Sequence, residues 1–82
     1  MPRAASIRSE ILGLLRAVPF RPFVVTLDSG QQAVVGHPEN IAFDLDSPEA
    51  EEFHILSRGL RLISTFSAIS GIELVDRGGK AG

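Results

Sequence analysis

The chain contains no cysteine, no tryptophan and no tyrosine, and only one methionine. Without cysteine there is no disulfide framework and no thiolate nucleophile, a composition that fits a reducing, cytoplasmic setting. Without tryptophan or tyrosine, the exposed aromatic rings that line proline-peptide grooves and nucleobase-stacking platforms are scarce. Five phenylalanines (20, 23, 43, 53 and 66) remain, and their positions read as core. No long apolar run is present either. The segment MPRAASIRSEILGLL starts basic, but Arg8, Glu10 and Arg16 interrupt it, so it reads neither as a secretory core nor as a membrane span.

What is present suits one small domain. A chain of 82 residues hides roughly 60–65% of the surface its unfolded form exposes, so its core is thin. The net charge of −2 conceals a division. Residues 1–22 carry Arg3, Arg8, Arg16 and Arg21 against Glu10, a net of +3, whereas residues 23–75 carry a net of −6. Phosphate backbones are bound through accumulated positive charge. The body of the protein is therefore a poor nucleic-acid surface, and only the four N-terminal arginines could serve as one.

Residues 6–18 read as an amphipathic helix with Ser6 as its cap. Ile7, Ile11, Leu14, Leu15 and Val18 share one face, and Ser9, Gly13 and Arg16 lie opposite. Gly13 has two readings: a neutral position on a solvent face, or a place where another backbone, such as a second copy, comes close. The stretch VPFRPF follows. Proline disfavours helical geometry in the residue before it, so Pro19 ends the helix and Pro22 extends Arg21. With Phe20 and Phe23 as anchors, Pro19 to Phe23 reads as a structural elbow rather than as a P-x-x-P ligand.

Beyond the elbow the period changes to two. Phe23–Leu27 and Gln31–His37 form a hairpin around Asp28-Ser29-Gly30. His37-Pro38-Glu39-Asn40 punctuates the chain, as a loop or a short helical turn, before a strand over 41–45. Residues 44–52, DLDSPEAEE, hold five of the ten acids and read as an exposed loop. Strands are expected again at 53–56, 60–66 and 71–75, with turns at Ser57-Arg58-Gly59 and at SAIS. The expected domain is residues 6–75, with flexible ends at 1–5 and 76–82. Its fold class is mostly β with one N-terminal helix: a small, strongly bent antiparallel sheet or barrel of five or six strands, with the helix over one open end or face.

The run PFRPFVVTLDSGQQAVVGHPE, together with Ile69-Ser70-Gly71-Ile72-Glu73, resembles a group of short bacterial proteins that implies no known activity. The order of elements also resembles the Sm-like fold, and Leu27-Asp28-Ser29-Gly30 is similar to the L-x-x-G of the first Sm motif. The Sm base-binding segments are missing, HPENIAF and FSAISGIEL standing in their places. That resemblance implies the barrel and assembly through edge strands, but not an RNA site.

Candidate chemistry is sparse. His37 and His54 with Glu39 or Glu52 are the available metal ligands, yet no H-x-x-x-H or H-E-x-x-H spacing joins them; His37 reads as a structural ring at a strand end. Asp44, Asp46, Glu49, Glu51 and Glu52 invite a calcium reading, but the sixth loop position, where a calcium loop needs glycine, is Glu49. These acids read as a solvated loop, for which a basic partner surface or the arginine-rich helix of a second copy is the fitting ligand. No G-x-S-x-G, P-loop or dinucleotide fingerprint occurs. The expectation is a non-enzymatic interaction module without cofactor or metal, binding itself or another protein, with no membrane role. Leu12, Gly13, Arg16 and Arg8 are its candidate contacts. The alternative is an Sm-like RNA-binding regulator using Arg3, Arg8, Arg16 and Arg21.

Overall fold

A computed structural model describes residues 3–47, 49–57 and 59–75. One helix precedes six strands: α1 (Arg3–Arg16), β1 (Phe23–Leu27), β2 (Gln32–Val35), β3 (Ile41–Phe43), β4 (Glu52–Ser57), β5 (Leu60–Thr65) and β6 (Ile69–Leu74). Short 3-10 turns at Pro38–Asn40 and Phe66–Ala68 precede β3 and β6.

The helix starts earlier and stops earlier than its apolar spacing predicts. Residues 3–5 are helical, and Ser6 is an interior position instead of a cap. Ala4 and Ala5 favour helix intrinsically, and Ala4 packs against the core. At the other end Arg16 is the last helical residue. Val18 cannot be helical ahead of Pro19, and it stands 95% exposed instead of continuing the buried stripe.

Residues 17–22 join α1 to β1. Phe20 is half-buried and Phe23 fully buried, their ring centroids 6.1 Å apart. The carbonyl of Pro22 accepts a 2.9 Å hydrogen bond from the Val75 amide, tying the joint to the end of β6. Pro19 and Arg21 lie exposed, and the Val18–Pro19 bond is cis.

The sheet is where expectation and structure part. In place of one bent sheet there are two antiparallel three-stranded sheets, ordered β2-β1-β6 and β3-β4-β5, and neither closes into a barrel. The breaks have local causes. Pro38 has no amide to donate to a ladder. The Asn40 amide donates to the His37 carbonyl (3.0 Å), and Asn40 Oδ1 accepts from the His37 amide (3.0 Å). That closed corner separates β2 from β3. The turn at Phe66–Ala68 separates β5 from β6 in the same way, so β6 begins at Ile69 rather than Gly71.

The core lies between the inner faces of the sheets and under the helix. Phe23, Val25 and Leu27 of β1 meet Val35, Ile41, Phe53, Ile55 and Ile69 from the other strands, with Ile11 and Phe66 closing the helix side. Alternation along β1 and β4 places every second residue inside. Gly30 and Gly59 supply positive φ (93° and 80°) at the two hairpin turns, where residues with a Cβ are strained.

Candidate functional site

Three of the sequence-predicted contact residues sit on the outer side of α1. Leu12 is half-buried, and Gly13 and Arg16 are exposed. A Cβ added at Gly13 would meet nothing within 4 Å, so within the chain no backbone demands glycine there. Gly13→Ala is accordingly expected to stabilise the protein by about 1 kcal/mol. Thermal melting should rise by about 4–8 °C. A fall in melting temperature with protein concentration held fixed would instead mark Gly13 as a contact with a second copy.

Arg8 behaves differently from the other arginines. It is only 9% exposed. Its Nη2 donates to the carbonyls of Asp44 (3.0 Å) and Leu45 (3.2 Å), and its guanidinium lies 5.5 Å from the centre of the Phe43 ring. The acidic loop thus already holds a cation, supplied by the helix of its own chain. Asp44 Oδ1 is occupied locally, accepting from the Asp46 amide at 2.9 Å. Arg8 is therefore committed inside the molecule and does not join Arg16 and Arg21 on the surface; the side chain of Arg3 lies outside the described residues, as do 76–82. The signal was present in the sequence. Arg8 falls between Ala4 and Ile11 at helical spacing, inside the buried stripe rather than beside it.

The two histidines do not converge. His37 lies beside Val34 and Asn40, whereas His54 lies on the outer face of β4, with Nε2 3.6 Å from Glu52 Oε1. Both groups of that pair are well exposed. Among the described residues no cluster of three or more His, Asp or Glu side chains could hold a metal ion. Among the described residues no helix is long and apolar enough to cross a membrane.

A further surface feature lies where the two sheets fail to join. A cleft of about 370 Å³ opens between β2 and the β4–β5 hairpin, walled by Ala33, Val34, Ile55, Leu60 and Leu62, with Gln31 and Arg61 as polar members. A shallower depression of about 340 Å³ continues it past Val34 and Ser57 to Leu56. Leu60 is 74% exposed, Leu56 51% and Ile63 48%. All three belong to the β4–β5 hairpin, and β5 is the end strand of its sheet. Apolar side chains on both faces of a strand with one unpaired edge are what a docking strand presents.

No protein-family model, curated protein or solved structure matches this chain.

The hairpin escapes a reading by alternation, because alternation separates an inside from an outside only where one face is polar. Leu60-Arg61-Leu62-Ile63 is apolar on both faces, and that pattern is the sign of a strand with something to cover on each side.

Proposed function

We propose that the protein is a non-enzymatic interaction module that self-associates through the β4–β5 hairpin. The observation that carries this reading is the grouping of Leu56, Leu60 and Ile63, all about half-exposed or more, beside the free edge of β5. Large aliphatic side chains gathered at an unpaired strand mark an interaction surface, whereas singly scattered ones do not. Size gives the motive, since a thin core gains from apolar surface covered by another molecule. The cysteine-free composition suits action in the cytoplasm.

The fold reading behind this proposal is an opened small barrel of the Sm-like or SH3-like kind. Three features support it. The strands run in the order β2-β1-β6 and β3-β4-β5, β2 approaches β4 where the two sheets meet, and a 3-10 turn packed against α1 precedes the last strand. The RNA-binding alternative loses one of its four arginines to the acidic loop, and the net charge of residues 23–75 is negative.

Light scattering over a concentration series tests the reading. The apparent mass is expected to rise from one chain toward two, and Ile63→Asp, at a half-exposed position on β5, is expected to hold it at one chain with circular dichroism unchanged. A strictly monomeric wild-type protein at high concentration overturns the proposal.

A further inference from the structure

Four strands stand at the ends of the two sheets, and they are not equivalent. β3 has three residues, and β2 turns its outer side toward β4. β6 and β5 have six residues each. The outward side chains of each follow from the registers. Along β6, Phe23, Val25 and Leu27 of the core face lie opposite Leu74, Ile72 and Ile69, which leaves Glu73 and Gly71 pointing out. Along β5, Ile55 lies opposite Leu62 and Phe53 opposite Ser64, which leaves Arg61, Ile63 and Thr65 pointing out. Of these two long edges, only β5 therefore carries a large apolar side chain outward.

We infer that the self-association partner of β5 is β5 of a second copy, paired antiparallel about a two-fold axis at Ile63. This rests on the self-association reading above and adds the edge, the symmetry and the register. A two-fold perpendicular to the sheet keeps the same face outward in both copies, so paired residue numbers must have an even sum. With Ile63 opposite Ile63, Leu62 meets Ser64 and Arg61 meets Thr65. The two isoleucines then cover one another on the outer face, flanked on each side by His54 and Ala42.

Charge selects this register over its neighbour. Across Thr65 lies Glu52 of the same chain, exposed over 68% of its side chain. In the Ile63-centred pair, Arg61 of one copy and Glu52 of the other stand on one row with only Thr65 between them. Two strand spacings, about 10 Å between Cα atoms, separate them. An arginine and a glutamate bridge that distance above a small threonine, and the symmetry makes the contact twice. Centring the pair on Leu62 instead sets Arg61 opposite Ile63 and leaves Glu52 with no arginine across the interface. Pairing β5 with β6 of another copy sets Ile63 against Gly71 or Glu73 and leaves the isoleucine uncovered.

The test uses the absence of native cysteine. In an antiparallel pair only the residue on the axis faces its own copy, with Cβ atoms about 4.5–5.5 Å apart, close enough for a disulfide after slight adjustment. Under copper-catalysed oxidation, Ile63→Cys is expected to give a covalent dimer in high yield. Ser70→Cys, at the edge of β6, is expected to stay monomeric on denaturing gels. Arg61→Glu and Glu52→Arg are each expected to weaken the dimer by about tenfold in dissociation constant. The double variant should recover most of the wild-type value by sedimentation. All four positions are exposed, and circular dichroism checks that the fold is kept. If the wild-type protein dimerises but Ile63→Cys forms no covalent dimer, the Ile63-centred register is overturned; if Ser70→Cys forms one, the β5 pairing is overturned, and in either case self-association stands. Failure of the double charge swap to restore binding overturns the register. A wild-type protein that never dimerises overturns both readings, and light scattering of the unmodified chain reports that outcome separately.

Discussion

Replacing Phe66 with alanine is expected to destabilise the fold by about 3–5 kcal/mol, the largest effect of any single substitution considered. The ring is fully buried. It stacks on Phe53 with centroids 5.2 Å apart and meets Phe43 edge-on at 5.1 Å. The residue opens the 3-10 turn against which α1 packs. Removing the ring takes dispersion contacts from both aromatic partners and leaves a cavity between the helix and the strands. A domain of this length has about 4–12 kcal/mol of stability in total, at roughly 0.05–0.15 per residue. The variant should therefore be largely unfolded in dilute urea, where the parent protein stays folded. The hydrogen bond from the Phe66 amide to the Glu51 carbonyl (2.9 Å) is a backbone contact and survives the change. A shift of less than about 1 kcal/mol in the urea midpoint energy would show that the aromatic cluster is not what seats the helix.

Arg8→Ala is expected to cost about 2 kcal/mol, from two charge-assisted bonds to the Asp44 and Leu45 carbonyls and one cation–π contact. The sum is kept small by an opposing term. Arg8 Nε is buried with no hydrogen-bond partner, so part of the desolvation of the guanidinium goes uncompensated. Arg8→Met separates the two contributions, since methionine restores the packing and not the bonds. Urea denaturation should place Arg8→Met between the parent and Arg8→Ala. Amide exchange should quicken through residues 44–47 in both variants, because the loop loses its tie to the helix. If Arg8→Met matches or exceeds the parent in stability while exchange in the loop is unchanged, the two carbonyl bonds contribute nothing net.

How far the sequence was legible depended on the range of the interaction. The hairpin turns at Gly30 and Gly59 were readable because a positive φ is a property of one residue and its neighbours. The buried faces of β1 and β4 were readable because alternation is local. That the helix ends ahead of Pro19 was readable because proline acts on the residue beside it. Helix ends were less legible, since Ala4 is drawn into the helix by its packing on the core and not by any capping signal.

Arg8 and the β5 edge failed for a different reason. Helical spacing places Arg8 on the apolar stripe, but it does not say what the guanidinium meets there. Its burial depends on carbonyls 36 and 37 residues away that the sequence does not point to. Likewise, Leu60 to Ile63 reads as ordinary strand until it is known that, among the described residues, no strand pairs beyond β5.

From its residues alone this chain is mostly β with a leading helix and phenylalanines in its core, because composition and short periodicities act over a few positions. Folding in three dimensions settled that the strands divide into two open sheets, that one arginine turns inward to hold the acidic loop, and which edge is left with isoleucine and leucine uncovered. Those outcomes come from contacts between distant segments, whose energies are comparable to one another and are chosen only when the whole chain packs together.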